Sequence, residues 1–251
     1  MATVATINEE IVTVDDFVKL LKINNLFQDL MKDIIGDKLT AQISKKQGTV
    51  VAPQEVQERA DQFRRVRGLH RAKDTQQYLD AIGFTLDDFE NYLTDTLHKE
   101  KMVGQITNDA VVEEFFRLNS PKFESVKLSH IMVDSEGKAK EVVACLQDDP
   151  DGFSAMAQEH SLSASTRESG GLIGKVRRGM LPEDIEAKVF GATAGEILGP
   201  FPTKEGGLFE IFKVEAKEPA QLNDATRAEV RKLLYRQWLA KQVSEHKIEA
   251  S

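Results

Sequence analysis

Val126-Lys-Leu-Ser-His-Ile-Met-Val133 is the stretch on which the fold turns. Its apolar residues have a period-two character and include β-branched side chains, which predicts a strand in a chain that otherwise reads largely as helix. Toward the C-terminus, Lys138–Gln147 returns to helical spacing, with Ala139, Val142, Val143 and Leu146 on one face. Asp148-Asp-Pro-Asp-Gly152 is a turn by composition, and Phe153, Met156 and Ala157 mark a short helix. Gly170, Gly171, Gly174 and Gly179 indicate a loop region, Pro182–Phe190 another short helix, and Leu208–Val214 alternates again as a closing strand. Two strands far apart in sequence thus bracket several short helices, the pattern of a small α+β domain.

On the N-terminal side the texture changes near Ser120-Pro121. Val4–Val14 alternates loosely, as a short strand or extended lead-in would. Asp15 can cap a helix carrying Phe17, Leu20 and Leu21, and a second helix carries Phe27, Leu30, Met31, Ile34 and Ile35. Gly48 ends that run. Pro53 opens another through Val56, Ala60 and Phe63, as proline does in a first turn. Thr85-Leu-Asp-Asp88 has the shape of a capping box with Asp in place of Glu, and Val111 to Phe116 give one more short helix. These stripes read as helix-bundle core. Beyond Pro219 a long helix runs to about His246, with Val230, Leu233, Leu234 and Trp238 on one face.

Composition narrows the function. At 41% hydrophobic and 29% charged residues, the 251-residue chain has the make-up of a folded globular protein. A net charge of −8 argues against nucleic acid as the main partner, and no apolar run reaches the length of about 18 residues that membrane insertion needs. Met1-Ala-Thr-Val-Ala5 lacks a basic patch followed by an apolar block, so the cytoplasm is the expected compartment; a removed leader would point to the periplasm instead. Cys145 has no second cysteine to pair with and, beside Val142 and Leu146, is expected to pack as a small apolar residue. Arg59, Arg64, Arg65, Arg67 and Arg71 are expected on a solvated helix face rather than at an acidic client.

Five pieces in order resemble the parvulin family of peptidyl-prolyl cis/trans isomerases. They are Leu128-Ser-His-Ile-Met-Val133; Phe153-Ser-Ala-Met-Ala157; Ser161 and Ser165 ahead of Gly170-Gly-Leu-Ile-Gly174; Gly179-Met-Leu-Pro182 with Ile185, Glu186, Val189 and Phe190; and Gly195-Glu-Ile197, Gly199-Pro200 and Phe212-Lys-Val214. Upstream, Val4-Ala-Thr-Ile-Asn-Glu-Glu-Ile11 followed by Asp15-Asp-Phe17 resembles the start of SurA-type chaperones. The resemblance implies an α+β fold: a helical chaperone-like domain over residues 1–122, completed by a C-terminal helix in 218–251 that packs on it. A parvulin-type domain, a small antiparallel sheet with flanking helices, is inserted at 123–217.

Isomerising an X–Pro bond means crossing a rotational barrier of ~18–20 kcal/mol without breaking a bond, so no metal or cofactor is required. The catalyst must hold the twisted amide better than the planar forms, with an apolar cavity for the proline ring and a few hydrogen-bonding groups. By resemblance, Ile173, either Met180 or Leu181, Ile185 and Phe190 line that cavity. Phe201 and Phe209 are available to compensate for Ile185, where the family often has an aromatic. His130 belongs to a hydrogen-bonded network beneath it. Two departures stand out. The family's Cys or Asp falls on Ser163, and its second histidine falls on Glu210, so a His130–Glu210 pair would replace a His–His pair. His160 is expected at the surface. The loop Asp134-Ser-Glu-Gly137 is short and acidic, so phosphoserine-proline preference is not expected. Two readings stay open: an isomerase and chaperone for proline-containing unfolded or secreted clients, or a catalytically weak or inactive parvulin fold that binds peptide.

Overall fold

The computed structural model describes residues 3–248, and the chain divides into two compact units, residues 1–112 with 231–251 and residues 113–230. The sequence reading set its divisions at 122/123 and 217/218. The second unit also takes in the end of one helix and the start of another, where Glu113 and Arg227 form an ion pair at 3.1 Å.

In the first unit, β1 (Thr3–Ile7) and β2 (Glu10–Thr13) pair antiparallel. The chain reverses at Asn8, whose φ of 56° is a left-handed value that asparagine tolerates. The expected extended lead-in is therefore a hairpin. Next, α1 (Val14–Ile23) starts at a capping box. The Thr13 hydroxyl accepts the Asp16 N–H at 3.2 Å, and the Asp16 carboxylate accepts the Thr13 N–H at 3.2 Å. Then come α2 (Phe27–Lys46), α3 (Pro53–Val66), α4 (Ala72–Ala81) and α5 (Leu86–Ile106), the last opened by the Thr85–Asp88 box. The sequence reading missed α4, because it buries only Thr75 and Leu79, too few to make a stripe. Leu79, Phe89 and Leu93 form one core cluster, and Leu39, Ile43 and Met102 form another, against which Trp238 and Leu239 pack. Gly36 permits that approach: a Cβ there would lie 2.9 Å from Leu239 Cδ2.

After α6 (Asp109–Asn119) the second unit supplies β3 (Ser125–Val133), α7 (Glu136–Asp148), α8 (Phe153–His160), β4 (Leu172–Arg177), α9 (Glu183–Gly191), β5 (Ile197–Pro202) and β6 (Phe209–Glu218). The chain then enters α10 (Asp224–Glu245). The sheet order is β4-β3-β6-β5, with all neighbours antiparallel. The two strands expected from the sequence are the hydrogen-bonded central pair. The other two correct the reading. β4 lies within the expected glycine loop and fully buries only Val176, so it shows no alternation. β5 (ILGPFP) carries glycine and proline, which an edge strand tolerates.

Strand alternation divides the core in two. Val126, Leu128, Phe212 and Val214 face Ile185, Val189 and Phe190 of α9. Ile131, Val133 and Ile211 face Val142 and Leu146 of α7 and Phe153 and Ala157 of α8. Cys145 is a correction: it is exposed, because the buried stripe of α7 runs through Ala139, Val142 and Leu146.

Candidate active site

Alternation along β3 puts His130 on the α9 side, between Leu128 and Met132 in the same row, with its side chain 11% exposed. The backbone is held from the side as well: the His130 N–H donates to the Gly171 carbonyl at 2.8 Å. Gly171 has φ 83°, and a Cβ there would lie 2.4 Å from the His130 oxygen, so only glycine lets this loop lie against the strand. The loop before it is anchored by Ser161, whose Oγ accepts the Met132 N–H at 3.2 Å and the Ser163 N–H at 3.3 Å. Leu162 N–H donates to the Met132 carbonyl at 2.7 Å.

This anchoring delivers two hydroxyls to one face of the imidazole. Ser163 Oγ lies 3.1 Å and Thr166 Oγ1 2.8 Å from His130 Nε2, and Thr166 donates to Ser163 Oγ at 2.9 Å. On the other side, Glu210 Oε1 lies 3.5 Å from Nδ1. That is ion-pair distance without hydrogen-bond alignment, and Nδ1 has no hydrogen-bond partner among the described residues.

Next to this polar group is an apolar floor. The Phe212 ring centroid is 6.1 Å from the imidazole and 6.1 Å from Phe201. Both belong to one buried cluster with Ile185 and Phe190, and Leu181 packs half-buried against it. Ile173 and Met180 are instead exposed, at 39% and 66%, and the Met180 sulfur accepts the Arg177 N–H at 3.4 Å. Of the two alternatives after Gly179, Leu181 is the one that packs against this cluster. Phe209 is a correction. It packs with Ile131 and Phe153 on the opposite face, because strand alternation sends Phe209 and Ile211 one way and Glu210 and Phe212 the other.

Thr166 was missed in the sequence. Its signal is the spacing: Thr166 follows Ser163 by three residues, and its N–H donates to the Ser163 carbonyl at 3.2 Å, one turn that brings both hydroxyls to the same side.

Residues 127–216 match the family model of the rotamase, or PPIC-type PPIase, domain. The chain carries a PpiC-type rotamase domain. Foldase protein PrsA of Clostridium botulinum (strain Langeland) is 26% identical, with 82% of this chain and 66% of the relative covered. The chain thus spans just under two thirds of that relative's length. Foldase protein PrsA 2 of Bacillus anthracis is 26% identical, with 93% of this chain and 75% of the relative covered. In fold, the chain is similar to the crystal structure of peptidylprolyl isomerase PrsA from Bacillus cereus, with a TM-score of 0.50 at 20% identity, covering 100% of this chain and 94% of the other.

Basic residues near the His130 site are paired within their own unit. Arg178 reaches Glu124 at 3.0 Å and lies over the Phe190 ring at 4.2 Å, while Arg177 binds Glu229 at 2.8 Å. In the helical unit, Arg59 pairs with Glu100, Arg64 with Asp61 and Arg71 with Asp74, and Arg67 stacks over Phe63. His160 is half-buried beside Glu159 at 3.7 Å. Among the described residues no three His, Cys, Asp or Glu side chains group to hold a metal, and no helix is long and apolar enough to cross a membrane.

Proposed function

We propose that the chain is a peptidyl-prolyl cis/trans isomerase and folding chaperone acting on X–Pro bonds of unfolded or maturing client proteins. The observation that supports this most directly is the juxtaposition of the His130–Ser163–Thr166–Glu210 group with the floor of Leu181, Ile185, Phe201 and Phe212. The floor receives the pyrrolidine ring, with Ile173 and Met180 at the exposed rim. The Ser163 hydroxyl, oriented by His130 and Thr166, is the group that meets the rotating amide, and Glu210 holds the imidazole from behind. Rotation transfers no charge, so a hydroxyl and an imidazole in fixed positions suffice; their contribution is to favour the twisted state over both planar ones.

Client holding falls to the helical unit. A groove of about 440 Å³, lined by Val56, Ala60, Leu86 and Phe89 together with Arg64 and Glu90, suits an extended segment that carries both apolar and polar side chains. The clients are proline-containing unfolded polypeptides.

A second reading, peptide binding without turnover, is favoured by Ser163 and Glu210 standing where the family has more reactive groups. A protease-coupled assay of the full chain on prolyl peptides separates the two. Acceleration that is lost in Leu181→Ala/Ile185→Ala supports the isomerase. Peptide binding without acceleration supports the second reading, and the absence of both sinks the proposal.

A further inference from the structure

Leu181 lies in the connection between β4 and α9, and one residue of α9 holds it from both sides. The connection opens with a turn from Arg177 to Met180, closed by the Met180 N–H on the Arg177 carbonyl at 3.3 Å. Gly179 takes the third position of that turn with φ 85°, the left-handed value that a type II turn requires there. The Gly179 N–H has no acceptor inside the turn, and it donates to the Glu186 carboxylate. Two residues on, Leu181 packs half-buried against the cluster that contains Ile185. Pro182 follows, and its carbonyl accepts the Glu186 N–H at 2.7 Å. Glu186 thus fixes the chain two residues before Leu181 with its side chain and one residue after it with its backbone. The ion pairs of Arg177 with Glu229 and Arg178 with Glu124 both act ahead of Gly179.

We propose that Glu186 is a positioning residue for the proline floor: through the Gly179 amide it sets where Leu181 meets the pyrrolidine ring. The proposal rests on the reading of Leu181 as part of that floor. The adjacent Ile185 is 3% exposed within the same floor, so two consecutive residues of α9 supply one wall and hold the other in register with it. Glu183 and Asp184 share the first turn of α9, where a carboxylate suits the helix dipole. What singles out Glu186 is its bond to the loop. Without that carboxylate, water takes the exposed Gly179 N–H, so the stability of the fold changes little while Leu181 gains freedom. A wall free to shift grips the ring less well in the planar and twisted states alike, so the loss falls on KM rather than on kcat.

The test measures isomerisation of a prolyl peptide by the full chain and the Kd of the same peptide carrying a fluorophore. Glu186→Ala, which suits a helix, is expected to raise KM and Kd about tenfold and to change kcat less than about twofold. Glu186→Gln keeps an oxygen acceptor and is expected to recover most of the affinity. Glu183→Ala, which removes a charge from the same helical turn, is expected to leave both constants unchanged. In a Leu181→Ala background, Glu186→Ala is expected to add nothing, since the two residues act as one. Wild-type affinity in Glu186→Ala, an equal loss in Glu183→Ala, or a full tenfold loss on top of Leu181→Ala overturns the proposal. Should Glu186→Ala fail to fold, the wild-type Gly179 amide decides: hydrogen exchange slowed about tenfold or more supports the bond, and exchange at the unprotected rate overturns it. A wild-type chain that binds the peptide without turnover removes the isomerase reading and leaves the Kd series to judge Glu186, whereas one that neither binds nor turns over sinks both.

Discussion

In the rotamase unit, Ile131, Val133 and Ile211 are fully closed off between the sheet and its helices. In the helical unit the buried clusters hold three residues each, and large apolar side chains line the outside of the arm formed by β1, β2 and α1. The two patterns suit different tasks. A site that discriminates a twisted amide from a planar one needs groups held to fractions of an ångström, and the 2.8 Å and 3.1 Å contacts at His130 depend on a strand braced on both faces. A surface that receives another chain needs apolar area left uncovered until that chain arrives. Burial thus separates the unit that holds the proposed site from the unit that leaves apolar surface uncovered.

The largest expected effect tests that contrast directly. Phe153 is 1% exposed under β3, so Phe153→Ala is expected to cost about 3–5 kcal/mol in urea unfolding followed by circular dichroism. Ile23→Ala, at 78% exposure, is expected to stay within about 0.5 kcal/mol. Equal losses at the two positions would erase the distinction. The single tryptophan, Trp238, lies in the helical unit and reports its unfolding separately by fluorescence.

A second expectation concerns the polar network. Thr166→Val keeps the shape of the side chain but removes the hydroxyl closest to His130. Loss of one such bond is expected to lower kcat/KM on prolyl peptides about tenfold, with little change in stability. Unchanged turnover would reduce Thr166 to a structural role. The companion Thr166→Ser, which retains the hydroxyl, is expected to recover most of the rate.

In the helical unit, the buried His98 has its pKa held below the ordinary 6.5, first by burial and then by the Lys45 ammonium, against the opposing pull of Asp95. Its Nδ1 lies 3.2 Å from Ser44 Oγ. Since the folded chain disfavours the imidazolium, the unfolded chain binds the proton first as pH drops. The contribution is therefore complete above about pH 6.5 and is lost as pH falls toward the folded value, with a slope of at most about 1.4 kcal/mol per pH unit. For Asp95, burial is outweighed by hydrogen bonds from Lys38 and Lys45, which lower its pKa, so it stays ionised through this window. Urea midpoints read from Trp238 are expected to be lower at about pH 5.5 than at about pH 7.5, and His98→Gln is expected to narrow the gap. A wild-type midpoint insensitive to pH in this range contradicts the assignment.

The contrast between the units also governs what the sequence disclosed. β3 and β6 lie at the centre of a sheet covered on both sides, and their apolar periodicity names them. β4 and β5 lie at its edges, where one fully buried Val176 or a Gly-Pro step leaves no such mark. His130 was legible because a polar ring in mid-strand is unusual. Its partnership with Glu210 needed only the alternation of β6, but Phe209 was assigned to the wrong face for want of the same parity argument. Thr166 could not be placed until the Ser161 anchor fixed the course of its loop. The arm was read as core because its spacing is amphipathic. Amphipathic spacing specifies that a face will be covered, and leaves open whether the cover comes from the same chain.

The smallest effect probes that last point. The Thr13 hydroxyl and the Asp16 carboxylate close the first turn of α1 between them, and nothing in a buried cluster reinforces that helix. Thr13→Ala removes the cap, so amides of residues 14–23 are expected to exchange about fivefold faster. Urea midpoints of both units should stay where they are, because the arm opens without them. Were the midpoint read from Trp238 to fall along with the faster exchange, α1 would be part of the cooperative core of the helical unit.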